Sequence, residues 1–439
     1  MYLFLASGWH IAATLTVFLA GRFGLFPSAF DRNGIGSFAF DGSSYLADAA
    51  NLAGLLRHGE IATWWRAVFP LHTKLFSLSF AVLAPVVGFN IVAAEPVNLL
   101  SYIAVLVLVF KIGAEIFDRR AGFVAACIVG AWPTFLLHTT QILKDPLFIA
   151  VFLGLTLMNA RCFARSLTWK QSLRASGSGG LLLILLWLIR PDLWELSLLV
   201  VVLALIFLML RLLREKKILK QNVVAAVLIF AFAISIPLLV KRYRNPDPHP
   251  FLTVTRSGSG QQIGIAGASG TPPAVNPPSR SSSSLTRLRE RIAWARYLYV
   301  NYPARGSNID ADVHLESWGE IVRYLPRATV IGLFAPFPRT WFASGTQVGR
   351  GGRLLGGIET LLMYCAYALV LITLWHRRGD LTVWYLTAVA ALSVIALSIV
   401  TANVGALYRL RYPFWILLFV LASDVVSRAF PYRRVEFNL

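Results

Sequence analysis

Several short stretches of this 439-residue chain set ionisable side chains against long apolar runs. Asp41 and Asp48 stand in FDGSSYLAD, Lys144 and Asp145 in LLHTTQILKDPLF, Arg190 and Asp192 in LIRPDLW, Arg339 in PFPRTW, and Arg409 and Arg411 in NVGALYRLRYP. A charge at membrane depth costs about 2.5–3.5 kcal/mol on insertion scales, so each of these groups needs a partner or a task. A carboxylate among arginines and lysines has a definite chemical use: it takes a proton from a hydroxyl while the cations neutralise a phosphate. Each residue also has a plainer reading. Asp145 before Pro146 and Asp192 after Pro191 suit the first turn of a helix, Asp41 suits an N-cap, and long cations snorkel at membrane surfaces.

The elements that must carry these residues follow from composition. With 57% hydrophobic and 14% charged residues and a mean hydropathy of +0.64, the chain is too apolar for a soluble domain and reads as an all-α polytopic membrane protein. Apolar runs cover 2–25, 99–117, 121–137, 148–160, 179–189, 193–210, 222–240, 356–375, 382–400 and 410–426. Two further runs, 75–94 and 330–342, are less regular, so about 10–12 transmembrane helices are expected. The first run lacks a basic leader and a small-residue cleavage site, and reads as a retained span. The chain divides into a membrane module over 1–240, with its first outer loop at 26–96, an outer loop over 241–327, and C-terminal membrane helices over 328–439.

The net charge of +20 does not indicate a nucleic-acid partner, because the cations fall in short clusters between apolar runs, as membrane orientation requires. The clusters are Arg119–Arg120; Arg161, Arg165, Lys170 and Arg174; Arg211, Arg214, Lys216, Lys217 and Lys220; Arg377–Arg378; and Arg428, Arg433 and Arg434. All can be cytoplasmic at once. The opposite face then receives 138–145, 190–192, 241–353 and 401–409, which brings acids and bases from distant parts of the sequence to one level. Asp41 joins them if the run over 75–94, interrupted by Pro85 and Gly88, does not fully cross. In the competing topology the N-terminus is outside and Asp41 faces the cytoplasm.

After Asp41, Tyr45, Ala49, Leu52, Leu55 and Leu56 recur at helical spacing, which predicts an amphipathic helix along the bilayer surface with the acid near its start. Between Asn245 and Ser284, Pro, Ser and Gly dominate and predict a flexible segment. A helical pattern returns over 285–302, where Arg287, Arg289, Glu290, Arg291 and Arg296 alternate with Leu288, Ile292, Trp294, Tyr297 and Leu298. This predicts a basic amphipathic helix on the membrane surface.

Other chemistries have little support. There is no P-loop, GxSxG or HExxH, and GSGSGQQIGIAG lacks the strand and helix of a dinucleotide site. Cys127, Cys162 and Cys365 lie in or at the edge of hydrophobic segments and give neither a disulfide framework nor a zinc pattern. The histidines, His58, His72, His138 and His314 among them, lack metal-ligand spacing, so a divalent metal would need carboxylates assembled in space. No solenoid or inverted repeat is present.

Three segments carry a family resemblance: FDGSSYLADAANLAGLLRHGE, then NLLSYIAVLVLVFKIGAEIFDRRAGFVAACIVGAWPTFLLHTTQILKDPLFIAVFLGL, then LLLILLWLIRPDLW. They resemble the amino-terminal half of GT-C membrane glycosyltransferases, the class that includes protein O-mannosyltransferases, aminoarabinose transferases and a related bacterial group. In that class the first outer loop carries an essential acid, followed by an aromatic and a juxtamembrane helix. Asp41 and Tyr45 match those positions, Asp145 matches a second outer acid, and Arg190 with Pro191 resembles the Arg-Pro that ends a later span. LPRATVIGLFAPFPRTWF and NVGALYRLRYPFW are similar to segments of the bacterial group. Many members have a second acid beside the first, where this chain has Gly42. The resemblance implies an inverting glycosyltransferase of a bacterial inner membrane, using a polyprenyl-phosphate sugar and passing the sugar to a glycan, lipid or protein. It makes Asp41 the base and points to Tyr45, Asp145 and Arg190 as substrate-binding residues, with no cofactor; the shared outer face adds Lys144, Arg339, Arg409 and Arg411 to the substrate-binding set. A lipid-linked saccharide transporter and a non-catalytic assembly partner are the rival readings. A transporter would show paired repeats and charges throughout the bilayer depth.

Overall fold

The computed structural model describes residues 1–39, 41–240, 253–257, 260–264, 284–301, 307–343 and 349–429. The chain opens with the apolar helix α1 (Tyr2–Arg22). In the loop behind it the Asp31 carboxylate accepts from the backbone N–H groups of Asn33 and Ile35. This loop leads to α2 (Asp41–Arg57), whose buried face of Ala49, Leu52 and Ala53 follows the helical spacing of the sequence. A short α3 (Ile61–Arg66) precedes α4 (Leu71–Val87), which packs along α2.

The chain turns at Gly88, where φ is +82°, a left-handed conformation that costs glycine little. Asn90 then caps α5 (Ile91–Ile116) by accepting from the N–H groups of Val92 and Ala93. The expected run over 75–94 is thus the end of one helix and the start of the next. It does not cross. At one end of α4, His72 packs edge-on against Tyr45 of α2; beyond its other end, the Ile91 N–H donates to the Asn33 carbonyl of the first loop. Both ends stay on the side of Asp41.

The expected span over 121–137 is two helices, α6 (Arg119–Ala131) and α7 (Pro133–Thr139), bent by 69°. Pro133 has no N–H to continue the ladder of α6, so the chain restarts there. α5 and α6 approach closely at paired glycines: a Cβ on Gly113 would lie 2.6 Å from the Gly122 Cα. Four apolar helices with short links follow: α8 (Asp145–Ala164), α9 (Trp169–Ile189), α10 (Trp194–Glu215) and α11 (Lys220–Val240).

Within the Ser/Pro/Gly-rich segment, β1 (Thr253–Ser257) and β2 (Gly260–Gly264) pair as an antiparallel hairpin; the rest of that segment up to residue 283 lies outside the described residues. Next, α12 (Ser284–Asn301) packs against the outer end of a later span, so the basic amphipathic pattern serves protein packing as well as a surface. Its Arg296 is buried and donates to the carbonyls of Val313, Ile399 and Asp310 at 3.0, 3.0 and 2.7 Å. α13 (Trp318–Phe334) starts with a Ser317–Glu320 capping box and stops before Ala335, so the run over 330–342 is no crossing.

The C-terminal part holds α14 (Gly349–His376), α15 (Leu381–Val400), the short α16 (Val404–Leu410) and α17 (Tyr412–Ala429). Among the described residues nine helices are long and apolar enough to cross a membrane, or ten with the bent α6–α7 pair counted as one. α8 and α17 are the most buried of them and form the centre, while Leu100, Leu213, Leu238 and Leu371 point outward where lipid would lie. The crossings alternate so that Arg119, Arg161, Arg211, Arg377 and Arg428 collect at one end, and Asp41, Lys144, Arg190 and Arg409 at the other. Arg433 and Arg434 lie outside the described residues.

Candidate active site

Asp41 is the first residue of α2, Asp145 the first of α8, Arg190 the link between α9 and α10, and Arg409 the penultimate residue of α16. The fold brings them into one chain of ion pairs. Arg409 Nη2 donates to Asp41 Oδ2 at 2.8 Å, and Arg409 Nε stands 3.2 Å from Asp145 Oδ2. That second approach lacks hydrogen-bond alignment, and both atoms are buried without a hydrogen-bond partner. The other Asp145 oxygen accepts from Arg190 Nη1, while Arg190 Nε reaches Asp192 Oδ2 at 3.2 Å. Lys144 Nζ closes the series 3.9 Å from Asp192 Oδ1.

Asp145 and Arg190 are almost fully buried, so a lone charge at either place would carry a desolvation penalty of several kcal/mol. The cations Lys144, Arg190 and Arg409 balance the carboxylates Asp41, Asp145 and Asp192. Burial acts to lower the pKa of Arg190 and Arg409, but the carboxylates beside them hold both above the ordinary arginine value. For Lys144 burial prevails and lowers the pKa, with Asp192 opposing it. The loosest contact is Lys144–Asp192, and Asp192 is half exposed. Of the three cations, Lys144 has the weakest hold on its carboxylate, and the Asp145–Arg190 pair is the most enclosed.

Aromatic and imidazole groups line the cluster. Tyr45 lies one turn after Asp41; burial, followed by the Asp41 charge, pushes its hydroxyl pKa up. Its ring meets His72 with centroids 4.7 Å apart. Both His72 nitrogens are buried without a hydrogen-bond partner, and burial pushes its pKa down to about 3, so the ring is neutral. From α12, Tyr299 also feels Arg190, Asp192, Arg409 and Asp41; burial raises its pKa first, against the pull of Arg190. Asp48, on α2, is half-buried, and burial raises its pKa.

A second polar network stands behind Arg409. Glu359, 1% exposed in the middle of α14, accepts from the Thr134 N–H at 2.8 Å and from the hydroxyls of Thr134 and Tyr408. It supplies the acceptor for the first turn of α7, which Pro133 leaves open. Tyr412 donates to the Thr134 hydroxyl at 2.6 Å, and His138 Nδ1 lies 2.6 Å from the Thr134 carbonyl. Glu359 therefore ties α14, α7 and α16 together next to Arg409.

Two expected site residues lie elsewhere. Arg411 is fully buried, donates to the carbonyls of Gly332 and Ala335, and stacks on Trp415 with its guanidinium 3.9 Å from the ring centroid. Its place two residues after Arg409 turns it to the other side of the chain, where it closes the end of α13. Arg339 is exposed on a short turn after α13 and makes no contact with the cluster among the described residues. His72, Tyr299 and Glu359 were not singled out as site residues from the sequence. Glu359 had a signal, an isolated acid inside a long apolar helix; His72 and Tyr299 had only their proximity in space. Among the described residues no group of three His, Cys, Asp or Glu side chains has metal-binding geometry.

The molecule is thus a multi-pass membrane protein whose described residues are helical apart from the β1–β2 hairpin and the connecting loops, with an acid-and-cation cluster at one membrane boundary. No protein-family profile and no characterised sequence matches the chain. Among solved structures it is similar to ArnT from Cupriavidus metallidurans bound to undecaprenyl phosphate, at 13% identity and a TM-score of 0.35, over 96% of this chain and 78% of that one. At this level of likeness no residue role passes from one chain to the other.

Proposed function

We propose that the protein is a GT-C-type membrane glycosyltransferase that moves a sugar from a polyprenyl-phosphate donor to an acceptor at the outer face of a bacterial inner membrane. The observation that carries this reading is the ion-pair chain from Asp41 through Arg409 to Asp145, Arg190, Asp192 and Lys144, assembled at one membrane boundary. A base and a set of cations in mutual contact are what transfer from a lipid phosphate requires. The motif resemblance around Asp41, Asp145 and Arg190 adds the class.

In this mechanism Asp41 accepts the proton of the acceptor hydroxyl. The hydroxyl oxygen attacks the anomeric carbon, and the bond from that carbon to the phosphate oxygen breaks with its electron pair. Attack opposite the leaving group inverts the centre. Polyprenyl phosphate leaves with the added negative charge, which Lys144 and Arg409 neutralise, each giving up part of its contact with Asp192 or Asp41. As Arg409 turns to the phosphate, the Asp41 oxygen that held its guanidinium is freed to take the hydroxyl proton. Asp145 stays paired with Arg190 and keeps the rest of the cluster in place. The confinement of the cluster to one boundary favours transfer over saccharide transport.

The test is sugar transfer from a polyprenyl-phosphate donor by purified protein carrying Asp41→Asn. Asn keeps an oxygen for Arg409 but takes no proton, so activity falls about 10²–10⁴-fold with the fold retained. Undiminished transfer removes Asp41 as the base.

A further inference from the structure

At the opposite end of α8 from Asp145 the structure has a cavity of about 330 Å³ between the last turns of α8 and the first turns of α9. Arg161, Arg165 and Arg174 line it, with Gln171 and Ser178 as neutral polar groups and Met158, Leu167 and Ala175 as an apolar wall. One buried carboxylate, Glu115 of α5, takes Arg161 Nε at 3.1 Å and Arg165 Nε. Arg174 is exposed and makes no hydrogen bond or ion pair among the described residues. The three guanidinium groups against Glu115 leave a local charge of +2 (3 − 1) around the cavity.

Its depth fixes what it can meet. α8 has 20 residues, about 30 Å of rise and so the thickness of a hydrocarbon layer, and Asp145 at its start lies at the outer boundary. The cavity is therefore at the other boundary, on the face that the basic loops assign to the cytoplasm. Trp169, the first residue of α9, is exposed beside it and suits that interface.

Orientation alone needs only basic residues in a loop; it does not need them converging on a cavity with one apolar wall. We propose that this cavity binds the phosphodiester headgroup of an anionic phospholipid from the cytoplasmic leaflet. The guanidinium groups hold the phosphate, and the wall of Met158, Leu167 and Ala175 takes the glycerol and first methylenes. This site is independent of the transfer chemistry at the outer face.

The experiment uses the full chain in detergent micelles and counts retained lipid by native mass spectrometry during titration with phosphatidylglycerol or phosphatidylcholine. A parallel arm adds inorganic phosphate as competitor. The expected result is preferential retention of phosphatidylglycerol, weakened roughly fivefold or more by Arg174→Gln, which breaks no ion pair. Ser178→Trp, which fills the cavity from an exposed position, abolishes it. Lys217→Gln, a cation on the same face away from the cavity, changes nothing. Equal retention of the two lipids overturns the proposal, as does an effect of Lys217→Gln equal to that of Arg174→Gln. Displacement of the lipid by inorganic phosphate at equal concentration reassigns the site to a free anion and also overturns it.

Discussion

Asp41 keeps 24% of its side chain exposed while one of its oxygens holds Arg409, so it is positioned by the protein and still open to a substrate. Asp145 is the contrasting acid, buried between Arg190 and Arg409. Asp145→Ala leaves two guanidinium groups without their shared carboxylate, and the expected loss is about 3–5 kcal/mol of stability, read as a lower thermal or denaturant midpoint. Lys144 gives a pH signature. Burial lowers its pKa below the ordinary 10.5, so its charge is lost at a lower pH than that of a free lysine. Transfer that needs this charge declines as the pH rises through the lowered value. Lys144→Arg keeps the charge, and the alkaline limb of a pH–rate profile is expected to move upward. An unchanged limb would show that Lys144 does not control it.

At the scale of elements, the site depends on helix ends. α2, α8 and α16 each present a charged residue in a first or last turn, and the kink between α6 and α7 is held open by an acid from α14. Glu359→Ala removes the acceptor of the Thr134 N–H and the Thr134 and Tyr408 hydroxyls, a loss of about 1–3 kcal/mol for each polar group left buried and unpaired. Because Tyr408 precedes Arg409, the expected result is a higher KM for the lipid donor together with lower stability. Glu359→Gln, which keeps an acceptor oxygen, recovers most of both. Equal effects of the two substitutions would show that the charge, not the acceptor, is what matters at this position.

At the scale of the whole molecule, the alternation of spans sets the acid-and-cation cluster and the basic loops at opposite faces. With Cys127, Cys162 and Cys365 replaced by Ser, a cysteine at Ser28 in the first loop and one at Lys217 between α10 and α11 report opposite faces. A membrane-impermeant thiol reagent added to intact cells is expected to label Ser28→Cys and spare Lys217→Cys. The reverse pattern would place Asp41 in the cytoplasm and end the proposal of transfer at the outer face.

The membrane class, most of the spans, the helix after Asp41 and the level shared by Lys144, Asp145, Arg190 and Arg409 were legible in the sequence, whereas the place of Asp41 at that level depended on whether the run over 75–94 crosses, which the break between α4 and α5 settled. Those features follow from one-dimensional patterns of apolarity, helical period and basic loops, which act along the chain and survive without knowledge of packing. Tertiary structure alone decided which charged residues touch. Arg409 and Arg411 are indistinguishable in the sequence two positions apart, yet one joins two carboxylates and the other disappears under Trp415. It also divided 75–94 and 121–137 into separate helices, and drew His72, Tyr299 and Glu359 toward the cluster from α4, α12 and α14. The physical reason is that a buried charge is stabilised by particular atoms within a few ångströms, and those atoms come from residues as near as two and as far as 368 positions along the chain.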